Sequence, residues 1–132
     1  MRAFLALIAD LVAVLAFVII GRASHHAGGG FPGLISTAWP FLSGLIAGEL
    51  AVRAWRRPAA MVPTGVVVWL STVAVGMTFR VIAGQGTAAA FIAVALAFLG
   101  LFVLGWRAGA LILARAAGRS EEAGHVHGSW SP

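Results

Sequence analysis

Four apolar runs, each about as long as a membrane crossing, constrain this chain more than any other feature. They cover residues 3–20, 34–52, 61–79 and 87–106. Each is near the ~20 residues that cross ~30 Å of hydrocarbon as a helix. A backbone in lipid has no water to bond to, so such runs close their hydrogen bonds internally, as helices. The alternation expected of a membrane barrel strand is missing. Composition agrees, since only 10% of residues are charged and 61% are hydrophobic, against roughly 25% charged in a soluble domain. The chain therefore reads as all-α, a four-helix transmembrane bundle over residues 1–117. Its helices are expected at about 3–20, 34–52, 61–79 and 87–115. The polar, small-residue tail 118–132 is expected to be disordered.

The arginines give an orientation. All nine basic residues are arginine. Arg53, Arg56 and Arg57 crowd the second connection, Arg2 starts the chain, and Arg115 and Arg119 follow the last run. The first and third connections hold only Arg22 and Arg80. The positive-inside rule then puts both termini and the second connection in the cytoplasm. The setting is a multi-pass protein of the cell (inner/plasma) membrane, with the lipid bilayer as its main partner. This bias also accounts for the sequence pI near 11.9 without nucleic acid as a partner. The first run has full span length and carries Asp10, so it reads as a span and not a cleaved signal. There is no cysteine, hence no disulfide and no thiol chemistry.

Charges inside the runs draw attention first, because a carboxylate there costs at least ~2.5–3.5 kcal/mol and must face protein or water. Asp10 lies about 10 Å into the first span at 1.5 Å per residue. Ala6, Ala9, Ala13 and Ala16 around it let another helix approach closely. The fourth apolar segment continues past Trp106 to Arg115, which places Arg107 about 12 Å inside the interface, near the level of Asp10. Glu49 precedes Arg53 by four residues and lies slightly nearer the cytoplasm. Asp10, Glu49 and Arg107 are thus expected to form one intramembrane polar cluster. Two readings fit it. One is a proton- or cation-handling site; the other is an ion pair that fixes helix register, which resists protonation.

A second group, Arg22, His25 and Arg80, gathers at the opposite, outer mouth, in and near "GRASHHAGGG". Histidine titrates near neutrality, but no acid is expected on that side and no third ligand is in view, so no metal is assigned. The cationic character suits an anionic ligand or lipid headgroups, or plain interfacial anchoring. No histidine lies within a span, which argues against haem between helices, and no other cofactor motif is present.

The third group surrounds Pro40 in "STAWPFLSG". The proline removes a helix hydrogen bond and frees the carbonyl of Ser36, which predicts a kink. With Trp39, Trp69, Thr72 and Thr78 nearby, the kink is a candidate pocket. Gly44 with Gly48, and Gly105 with Gly109, are G-x-x-x-G pairs that mark close helix contacts, within the chain or between chains.

An acidic residue in the first span, followed by "IGRASHH", "TAWPFLSG", Trp69, "GMTFRV" and "LGWRAG" in order, resembles a family of small four-span bacterial and archaeal membrane proteins known only as a domain of unknown function. The resemblance runs from about Asp10 to Gly109. It rests on Asp10, Gly21, Arg22, His25, Pro40, Phe41, Trp69, Arg80, Trp106 and Arg107. It implies a four-span membrane fold and no known activity or substrate. In size and layout the chain is also similar to small multidrug-resistance exporters, which carry an essential carboxylate in their first span; their aromatic and glycine patterns are not evident here.

Two functions remain open. One is a small transporter or permeation unit, a homo-oligomer with Asp10 as the coupling site. The other is an accessory or scaffolding subunit held by a membrane partner protein. No nucleophile–base pair, metal triad or cofactor motif suggests an enzyme.

Overall fold

The computed structural model describes residues 2–24, 28–86 and 88–128. Among these the chain forms four helices and no strand. Helix α1 spans Arg2–Ser24 and α2 spans Gly30–Ala51. A single wide turn, Met61–Gly65, leads into α3, Val66–Ile82. Helix α4 is the longest, Ala89–Gly128. At 1.5 Å per residue, the 23 residues of α1 and 22 of α2 reach about 33 Å. All four helices are long and apolar enough to cross a bilayer, and the protein is a four-helix transmembrane bundle.

The core is a column of apolar side chains from every helix, with Val14, Phe41, Leu45, Val68, Leu99 and Val103 almost fully buried. Phe17 sits at its centre. Its ring meets Phe41 edge-on at 5.2 Å and leans on Phe98 at 5.6 Å, a favoured aromatic geometry. The outer surface is equally apolar, with Phe4, Leu5, Ile46, Leu101 and Ile112 all exposed. Such a surface suits lipid and not water.

Close packing of α2 on α3 depends on Gly44 and Gly48. A Cβ on Gly44 would fall 2.7 Å from the Thr72 carbonyl oxygen, and one on Gly48 would fall 3.0 Å from the Val68 Cα. The first G-x-x-x-G pair is therefore an intrachain contact. The second is not: a Cβ on Gly105 or Gly109 would meet nothing within 4 Å.

Helix boundaries differ from the sequence reading in each element: α1 runs four residues past the expected 20, to Ser24, and α3 spans Val66–Ile82 against an expected 61–79. Helix α2 begins at Gly30, four residues before the expected start. Gly29 turns the chain into it with a left-handed φ of 93°, a conformation glycine adopts without strain. Helix α4 runs on to Gly128, past residue 117, where disorder is the sequence expectation. Alanine, arginine and glutamate in "ARAAGRSEEAG" are good helix formers, and Ser120 Oγ bonds back to the Ala116 carbonyl at 3.1 Å.

Candidate functional site

The structure brings Asp10, Glu49 and Arg107 together from α1, α2 and α4. Asp10 and Arg107 are both fully buried. Arg107 grips the carboxylate with both arms: Nη1 donates to Oδ1 and Nη2 to Oδ2, each at 2.7 Å. This bidentate fork is the strongest geometry open to the pair. Trp106 Nε1 adds a further bond to Oδ1 at 2.8 Å. Two further arginine donors go to backbone. Nε reaches the Pro58 carbonyl at 3.0 Å, tying the α2–α3 connection to α4, and Nη1 reaches Val103 at 2.9 Å. Gly65 gives the arginine room, since a Cβ there would lie 2.9 Å from its Cδ.

Glu49 is the member left over. It lies beside Asp10 and in the field of Arg107. Its Oε1 is enclosed and accepts no hydrogen bond. Asp10, its neighbour, is an acceptor too when ionised, and none of the bonds that Arg107 makes goes to Glu49. With both carboxylates ionised the cluster carries two negative charges against one positive. An unmatched charge so placed is costly.

The cluster is close to a surface. A cleft of about 1090 Å³ runs between α1, the α2–α3 connection and α4. Ala6 and Ala9 form one wall, Arg56 and Arg57 its rim, and Trp106 lines it. The same Trp106 bonds Asp10. Trp106 thus touches both the cleft and the buried charges, and Pro58, which also lines the cleft, bonds Arg107.

At the other end of the bundle, Arg22 and Arg80 line a second cleft, of about 470 Å³. Arg22 Nη1 donates to Thr37 Oγ1 at 2.7 Å, and Nη2 bonds the Gly28 carbonyl. Arg80 donates through Nε and Nη2 to the Gly86 carbonyl, at 3.0 and 2.7 Å, and through Nη1 to Gln85 Oε1 at 3.0 Å. Its guanidinium also lies over the Phe91 ring, 4.4 Å from the centroid. His25, the third member of this expected group, lies outside the described residues.

The Pro40 group does not converge on one pocket. Pro40 is buried inside a continuous α2. Trp39 stacks on Phe79 at 5.5 Å, while Trp69 Nε1 donates to the Leu96 carbonyl on α4 at 2.9 Å. The hydroxyls of Thr72 and Thr78 bond back to Val68 and Ala74 of their own helix, so they leave no polar lining. The Ser36 carbonyl that the proline frees is taken by Gln85 Nε2 at 3.0 Å.

Sequence reasoning did not assign roles to Trp106, Gln85, Thr37 and the Pro58 carbonyl. Trp106 had a signal, its place next to Arg107 in "LGWRAG". Gln85 had a weaker one, as a polar side chain flanked by Gly84 and Gly86 and five residues after Arg80. The Pro58 carbonyl had none, because a backbone acceptor leaves no trace in composition.

The family described as "Protein of unknown function (DUF3054)" matches residues 7–110, most of the chain. No curated protein and no solved structure matches.

Proposed function

From the premise that the chain belongs to the DUF3054 family, whose function is unknown, we propose that it is a small membrane transporter or permeation unit that handles a cation. Glu49 is the group that takes the cation up and lets it go. The observation that carries this reading is the surplus carboxylate, with Glu49 Oε1 enclosed and without a donor, beside an Asp10 whose two oxygens are both held by Arg107. A proton or a small cation at that oxygen supplies the missing positive charge. Asp10 suits the task less well than the sequence suggests. Both its oxygens are held by a buried fork, so releasing it would strand Arg107 in a low-dielectric interior. Asp10 and Arg107 are better read as the fixed half of the site and Glu49 as the exchangeable half. The cleft behind Trp106 offers the nearest approach from the α2–α3 side. In this reading the bundle lies in the cell (inner/plasma) membrane, both termini are cytoplasmic, and homo-oligomers line the rest of the pathway. The role is permeation and not catalysis.

The test is cation flux into liposomes holding the purified protein, followed with an internal pH dye under an imposed potassium gradient. Glu49→Gln keeps the side-chain shape and removes the charge; it is expected to fold and to abolish the flux. Equal flux from wild type and variant overturns the proposal.

A second reading, an accessory subunit of a larger membrane complex, draws on α4. From Leu111 to Gly124 every residue is exposed, with Leu113 at 72%. That face fits a partner helix. Mild solubilisation of native membranes should then yield a stoichiometric partner, and a chain that is always isolated alone contradicts this reading.

A further inference from the structure

The cleft at the Arg22–Arg80 end is not part of the cation site, and its chemistry is of a different kind. Arg22 is in the last turn of α1 and Arg80 in the last turn of α3, at the depth where a span meets the headgroups. The chain has four acidic residues, Asp10, Glu49, Glu121 and Glu122. The first two lie at the opposite end of the bundle and the others on the exposed end of α4. Neither arginine therefore has a carboxylate to face. All the acceptors they engage among the described residues, Thr37, Gly28, Gln85 and Gly86, are neutral. These bonds fix the positions of the two guanidiniums without cancelling their charge, which is preorganisation for an anion. The Phe91 face beneath Arg80 acts in the same way.

The rest of the cleft is apolar, walled by Phe17, Val18, Phe91 and Val94. A cavity of about 470 Å³ is the size of a small-ligand site and too small for a folded partner. Two cations at the rim above an apolar slot are complementary to a molecule with an anionic head and a hydrocarbon tail. We propose that this cleft binds an anionic phospholipid of the surrounding leaflet, its phosphate between Arg22 and Arg80 and one acyl chain against Phe17 and Phe91. Phosphate favours arginine because the planar guanidinium donates in pairs.

Gly21 gives an independent handle on the tail. It lines the cleft, and a Cβ there would meet nothing within 4 Å. Gly21→Leu thus fills the slot while leaving both arginines in place.

Native mass spectrometry of the full chain in detergent, with lipid added, tests the proposal. The probes are dioleoyl phosphatidylglycerol, dioleoyl phosphatidylcholine with the same chains, and inorganic phosphate. Phosphatidylglycerol should be retained about tenfold over phosphatidylcholine. The double variant Arg22→Gln/Arg80→Gln should remove that preference, a loss of about tenfold, the size of one charge-assisted contact. Gly21→Leu should weaken phosphatidylglycerol binding with the arginines intact, and it carries the test if the double variant does not fold. Equal retention of the two lipids, or binding unchanged in Gly21→Leu, overturns the proposal. Inorganic phosphate held as firmly as phosphatidylglycerol overturns it in favour of a free-anion site.

Discussion

Asp10 shows what one residue can dictate in this setting. A carboxylate inside an apolar run must find a partner, and the fixed rise of a helix sets the depth at which to look. That is why Arg107, 97 positions away, is legible as its partner from the sequence. The same logic brings in Glu49 through its spacing from Arg53. Removing one partner of such a pair strands the other, at a cost of about 3–5 kcal/mol. Asp10→Asn is therefore expected to lower stability by that amount in denaturant titrations of the micelle-bound protein. The apolar pair Asp10→Leu/Arg107→Met should recover most of it. A mild Asp10→Asn would mean that Glu49 takes over the arginine. Trp106→Phe removes a single bond to a charged group, worth about 1.5–3 kcal/mol. It should destabilise less than Asp10→Asn and make the cluster more accessible from the cleft, read as faster hydrogen exchange. The finer geometry was not legible. Which carboxylate wins the arginine depends on helix rotation, and the Pro58 carbonyl depends on the path of a loop.

At the scale of elements, Pro40 and Gln85 form a matched pair. The proline deprives the Ser36 carbonyl of its helix donor, and a side chain from the α3–α4 connection supplies another. Gln85→Ala should remove that partner and cost about 0.5–1.5 kcal/mol, the net worth of an ordinary hydrogen bond. In a Pro40→Ala background the helix supplies the donor itself, so the cost of Gln85→Ala should shrink. A double-mutant cycle on thermal unfolding measures this coupling, and strict additivity would contradict it. The freed carbonyl was foreseeable from "STAWPFLSG"; its acceptance of Gln85 was not, because it joins residues 49 positions apart. The two G-x-x-x-G pairs make the same point. Their spacing is identical, yet only Gly44 and Gly48 are turned toward a neighbouring helix. Gly44→Leu should therefore force α2 from α3 and prevent folding, whereas Gly105→Leu should leave the monomer intact. Helix α4 beyond residue 117 was illegible for another reason: polar, small-residue composition resembles disorder, while helix propensity in the same stretch favours continuation.

For the molecule as a whole, the pattern is apolar outside, apolar within, and charged at a few fixed places. The four spans were plain in the sequence because hydrocarbon thickness sets one length for all of them. For the direction we propose, from the arginine distribution, that the α2–α3 connection and both termini face the cytoplasm. The absence of cysteine makes that direction simple to measure. Single-cysteine variants at Ala59 and Ser120 should resist an impermeant maleimide on intact cells, and Gly28→Cys should react; the reverse pattern contradicts the assignment. Within this frame the central claim concerns Glu49, whose buried Oε1 has no hydrogen-bond partner. The most direct test is the infrared carboxyl region of the purified protein, recorded across pH and across alkali cations, with Glu49→Gln for assignment. The account predicts a carboxyl signal that Glu49→Gln removes and that responds to protons or to the added cation. A Glu49 signal that stays unchanged under every condition would show a closed, purely structural cluster and contradict it.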